Sequence, residues 1–115
     1  MRKAYLGEFE ELVLLTTAIL NGEAYGVSVA KELKKLSGRS VSIAAVHISL
    51  HRLLDKGLVN SHMGGATMSR GGRRKRIFTV TVAGKHILQE IHDTRNQMWE
   101  MLPKTSFNLE PGFKD

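Results

Sequence analysis

Two strand-like segments, Leu58–Met63 and Arg76–Thr81, interrupt a chain otherwise patterned for helix, and four glycines lie in the nine residues Gly64–Gly72 near their junction. Both segments are rich in β-branched or aromatic residues, and the glycines mark the connection as a loop. The pair reads as a long-tipped β-hairpin. A two-stranded hairpin is marginal alone in water, so it must lean on the helices around it.

Those helices are legible from spacing. Phe9, Leu12, Val13, Thr16, Ile19 and Leu20 predict a first helix over 8–20, ended by Asn21-Gly22. Leu14, Leu15 and Ala18 occupy its other faces, so this helix is expected to be covered on two sides. Val29, Leu33 and Leu36 mark a second helix over 25–36, with Lys31, Lys34 and Lys35 toward solvent and Ser37-Gly38 as its stop. Ser42 is a suitable N-cap for a third, reaching Lys56 and terminated by Gly57. Its expected core stripe is Ile43, Val46, Leu50, Leu53 and Leu54; Ala45, Ile48, Ser49, Arg52 and Lys56 are expected to point away, with His47 and His51 on one flank. Thr81 caps a fourth helix over 82–101, closed by Pro103. Gly84, Leu88, Ile91, Arg95, Met98, Trp99 and Leu102 share one of its faces at alternating steps of four and three, the spacing of a helix–helix seam.

Helix, helix, turn, helix, strand, basic strand, long helix is the order of a winged helix-turn-helix followed by a long helix. The fold class expected is mainly α with a small β-hairpin. Residues 1–81 are expected to form the winged helix-turn-helix region, 82–102 a long helix of the same compact domain, and 103–115 a tail without periodicity. A length of 115 residues suits one such domain.

Charge narrows the partner. Seventeen Lys+Arg against eleven Asp+Glu give a net charge of +6, and no acid occurs between Asp55 and Glu90. Arg70, Arg73, Arg74, Lys75, Arg76 and Lys85 fall in that stretch. Clustered cations beside a helix-turn-helix point to double-stranded DNA; spread evenly, they would serve only solubility. A membrane-binding segment would interleave them with a wide apolar face, and no apolar run reaches the ~18 residues of a membrane span, so no membrane partner is expected. Glu8, Glu10 and Glu11 interrupt what would be a signal peptide's apolar stretch, so the expected location is the cytoplasm. Cysteine is absent, which excludes disulfides, thiolate metal sites and a cysteine nucleophile.

Taken together, Tyr25-Gly26, Ser42 with Ala45-Val46, Leu50-His51-Arg52-Leu53, Lys56-Gly57-Leu58-Val59, Gly71-Gly72-Arg73-Arg74-Lys75-Arg76 and Val80-Thr81-Val82-Ala83-Gly84 resemble, in order and spacing, the PadR family of bacterial transcriptional regulators. The likeness is to short members with a single carboxy-terminal helix and covers residues 6–100. It implies a homodimer in which each fourth helix embraces the partner's first, so that 1–81 serve as the DNA-binding region and 82–102 as the dimerisation helix. Where the family typically has a tyrosine followed by proline in the recognition helix, this chain has His47-Ile48; where paired tyrosines are common in the second wing strand, it has Ile77-Phe78.

The expected DNA-binding set is Ser42, Ala45, His47, Ser49 and Arg52 on the third helix, with Arg70, Arg73, Arg74, Lys75 and Arg76 on the wing. Arg suits guanine or a phosphate, and Ser42 with the helix N-terminus suits a phosphate. Leu14, Leu88, Ile91, Met98 and Trp99 are expected at the dimer interface. Some PadR-like regulators sense flat aromatic compounds between subunits, so the resemblance also implies a small aromatic effector beside Trp99 and Met98. His47 and His51 have zinc spacing but no third ligand, and no metal or cofactor is expected. G-x-S-x-G, G-x-x-x-x-G-K and H-E-x-x-H are all missing, so no enzyme is expected. The reading is a sequence-specific regulator, a repressor; the rival is a winged-helix protein–protein module whose basic wing meets an acidic partner.

Overall fold

The structure, a computed structural model, describes residues 6–64 and 74–104. Its order is α1 (Glu8–Leu20), α2 (Gly26–Ser37), α3 (Ile43–Asp55), β1 (Val59–Met63), β2 (Arg76–Val80) and α4 (Val82–Glu100). Each boundary has a local cause. Asn21 at φ 38°, Gly38 at 76° and Gly57 at 75° turn the chain out of α1, α2 and α3 through the left-handed region. Ser42 Oγ accepts the Ala45 N–H at 3.0 Å to start α3, and Thr81 Oγ1 accepts the Gly84 N–H at 3.0 Å to start α4. Among the described residues no helix is long and apolar enough to cross a membrane.

The hairpin pairs Val59 with Val80 through to Met63 with Arg76, antiparallel. The Phe78 N–H also donates to the Ala24 carbonyl at 2.8 Å, so the approach to α2 lies as a one-residue bridge against β2. That contact explains why α2 begins at Gly26, with an extended Tyr25 as its N-cap. Phe78, fully buried, anchors the wing in a core shared with Val13 and Leu14 of α1, Val29 and Leu33 of α2, and Val46, Leu50 and Leu53 of α3. Buried Thr16 and Thr17 donate their hydroxyls to the Leu12 and Val13 carbonyls at 2.7 and 2.8 Å, so they enter this core without an unmet donor.

Gly84 departs from its expected place on a seam between helices. It is the buried residue of α4, pressed against the wing base, where a Cβ would collide with the Leu58 carbonyl oxygen and lie 2.7 Å from Val80 Cγ1. That oxygen already accepts the Thr81 N–H at 3.0 Å and has little room to move. Gly84→Ala is therefore expected to cost about 1–3 kcal/mol despite alanine's better helix propensity. Thermal unfolding checks this: the midpoint should fall by several degrees, and an unchanged or raised midpoint would refute the close contact.

Candidate nucleic-acid interface

The wing base and the start of α2 enclose a cleft of about 430 Å³, lined by Tyr25, Gly26, Val27, Lys31, His47, Arg74, Lys75 and Arg76. Its lining holds four cationic side chains and no acid, and α2 opens into it without an acid in its first turn. The cations and the partial positive charge of the helix terminus reinforce one another. The Lys75 ammonium lies 4.1 Å from the centroid of the Tyr25 ring, which holds it in place without neutralising it. Arg76 donates to Ser61 Oγ across the hairpin at 2.8 Å, and Arg74 is exposed. Arg70 and Arg73 lie outside the described residues.

Gly26 makes the closeness of α2 and α3 possible. The His47 imidazole occupies the space a Cβ on Gly26 would need, with its Cε1 at only 2.7 Å from that position. His47 is thus exposed yet seated against the neighbouring helix, at the floor of the cationic cleft. Among the described residues no three His, Asp or Glu side chains converge as a metal site would require.

The exposed face of α3 is rotated from its expected position. Ser49 is buried, 5% exposed, beside Val46, Leu50 and Leu53, and this removes it from the DNA-facing set. Ile43 and Ile48 are 45% and 56% exposed, so Ile43 leaves the expected core stripe. The outward line runs Ala44, Ile48, His51 and Asp55, all exposed, with the His51 ring edge-on to Phe78 at 6.3 Å. His47 flanks this line on the wing side; half-buried Ala45 and exposed Arg52 flank it toward α1. Ser42 stands exposed at the helix start, its hydroxyl oxygen engaged as the cap. The sequence reading missed Ala44 on the outward line, and it also missed Tyr25 and Lys31 in the cleft. Lys31 looked like an ordinary solvated residue because the strand it faces comes more than forty positions later.

A second surface joins α1 and α4. Leu14 is fully buried in the protomer's own core and so cannot serve the interface expected of it. Leu15 and Ile19, 44% and 53% exposed, are the large apolar side chains that α1 presents to solvent. Leu15 and half-buried Leu88 floor a groove of about 360 Å³ rimmed by Glu11, Lys85, His92 and Arg95. Ile91 is half-buried. Beyond it, Met98, Trp99 and Leu102 line an apolar hollow of about 450 Å³ with Arg95, and Met98 and Trp99 are more than half exposed. Exposed apolar residues so concentrated on adjacent helices make this a candidate contact surface.

The family model described as the transcriptional regulator PadR-like family matches residues 14–90. Solved structures share the fold. A PadR family transcription regulator from Clostridium difficile is 22% identical with a TM-score of 0.66, over 82% of this chain and 93% of that one. A PadR family regulator from Eggerthella lenta is 20% identical with a TM-score of 0.66, over 89% and 88%. Bacillus subtilis PadR, solved in complex with operator DNA, is 18% identical with a TM-score of 0.60; the match covers 94% of this chain but 53% of that longer protein. No curated protein matches the chain.

Proposed function

The chain belongs to the PadR-like family of transcriptional regulators, and from that premise we propose that it is a homodimeric, sequence-specific DNA-binding repressor. The observation that carries this reading is the cationic cleft between the α2 N-terminus and the wing base, set beside the exposed face of α3. The α3 face enters a major groove. Phosphates on its edge meet Lys31, Arg74, Lys75 and Arg76, which fix position, while residues along α3 supply base contacts. Ser42, Ala45, His47 and Arg52 remain in the proposed DNA-binding set, and Ala44, Ile48 and His51 join it.

Dimerisation supplies the second half-site. Leu15 and Ile19 of α1 and the α4 face through Leu88, Ile91, Met98 and Trp99 are covered by the partner, placing two α3 helices about 34 Å apart on an inverted repeat. Repression follows from occupancy of that site. A flat aromatic effector entering the hollow beside Trp99 and Met98 would favour one dimer geometry and so shift DNA affinity.

The test is a fluorescence-anisotropy titration of the protein against its own upstream DNA and a scrambled duplex at several salt concentrations. A preference above about a hundredfold, with log affinity falling steeply against log salt, is the expected result. Equal affinities would remove sequence specificity; no duplex binding at low salt, with stable capture of an acidic protein, would replace this reading with the protein–protein module.

A further inference from the structure

Glu10 is the buried acid of α1, 9% exposed, and it faces the recognition helix. Lys56 Nζ donates to its Oε1 at 2.7 Å, and Arg52 Nη1 stands 3.8 Å from its Oε2. Arg52 and Lys56 are four apart on α3 and its C-cap, so both project to the same side and would repel one another without the carboxylate. The Arg52 side chain is nonetheless 67% exposed. Its Nη1 lies toward α1 at ion-pair distance from the carboxylate, beyond hydrogen-bond reach, and most of the side chain faces solvent on the flank of the α3 outward line.

We infer that Glu10 is a specificity-determining positioning residue, which orients the Arg52 guanidinium for a base edge instead of a phosphate. The inference rests on the DNA-binding reading above. An arginine on a flexible stem near a duplex is drawn to the closest phosphate, which carries no sequence information. Discrimination of guanine needs the planar fork presented in one direction, and a carboxylate on one side of the fork supplies that direction. Glu10 is suited to the task because it is buried and because Lys56 pins its other oxygen. It also removes one positive charge from the local field, which weakens binding to arbitrary sequences and sharpens the contrast.

The experiment uses full-length protein and duplexes enriched by the wild type from a randomised pool, each titrated against the unselected pool. In Glu10→Gln the released Arg52 should keep or raise affinity for the unselected pool, with a salt slope steeper by about one per protomer. Preference for the enriched duplex should fall about tenfold or more, and a repeat selection should lose information at one position per half-site. Equal losses for both duplex classes would show mere structural support and overturn the inference, as would an unchanged preference. Should Glu10→Gln fail to fold, Arg52→Lys decides: charge is kept and the fork is lost, so pool affinity should persist while preference falls. A wild type that enriches no sequence overturns the DNA-binding reading itself, whereas a discriminating wild type with an equally discriminating Arg52→Lys overturns this inference alone.

Discussion

Replacing Arg74 and Arg76 together with alanine is expected to weaken binding to every duplex, enriched or scrambled, on the order of a hundredfold near physiological salt. Arg74 is exposed and Arg76 lies on the same rim of the cleft, so both are placed for phosphates in the proposed reading and neither is buried where its loss would open the core. The proposed dimer would lose four such contacts, and at about 0.9 per phosphate the slope of log affinity against log salt should flatten by roughly three to four. Specificity should survive, because side chains that meet phosphates position a protein and do not read bases. The fold should survive as well: the Arg76 bond to Ser61 is exposed and worth about 1 kcal/mol, while Phe78 keeps β2 anchored. Salt titrations of both proteins on both duplexes measure all of this. Parallel salt lines for variant and wild type would take the wing base out of the mechanism.

Much of this arrangement was legible in the sequence because elements and caps are local matters. Ser42, Gly57 and Thr81 each declare a boundary through their own chemistry, and the structure places those boundaries within a residue of the expected ones. Rotation about a helix axis was less legible. Ile43 and Leu54 drew the expected core stripe of α3 toward the helix ends, which reach past the core and leave Ile43 exposed. That displacement put Ser49 outside and overlooked Ala44. Leu14 and Leu15 pose a related difficulty. Both are apolar, and hydropathy cannot say which one serves the protomer's own core; the buried pair Val13 and Thr17 settles it for Leu14. Gly84 could not be placed by pattern, since its role is to let the Leu58 carbonyl approach α4, a crossing set by tertiary structure. The site therefore shares a property with the misplaced residues. Lys31, His47 and Lys75 are far apart in sequence, and only the seating of the wing on α2 brings them into one cleft.

Trp99→Ala should dissociate the dimer more than any other single truncation on α4. In the protomer Trp99 is 53% exposed, and Met98 beside it is 62% exposed. An indole buries about 150–250 Å² when fully covered, so roughly 100 Å² remains to be removed from water on dimerisation. At about 25 cal/mol per Å² that is ~2.5 kcal/mol per protomer, and two-fold symmetry counts it twice. Ordering and imperfect desolvation consume part of the gain, so a rise in dimer Kd of about a hundredfold or more is the sound expectation. Analytical ultracentrifugation across a concentration series reads it directly. DNA affinity should fall in step, since one half-site then has to be bound without the other. Leu14→Ala makes the contrast, because its side chain is fully buried within one protomer. That change should cost about 2–5 kcal/mol of stability, read as a lower unfolding midpoint, while leaving folded protomers competent to pair. A Trp99→Ala protein that remains dimeric at the lowest concentrations would assign the exposed α4 face to something other than a second copy. A Leu14→Ala protein that dissociates without losing stability would restore the interface role that its burial denies it.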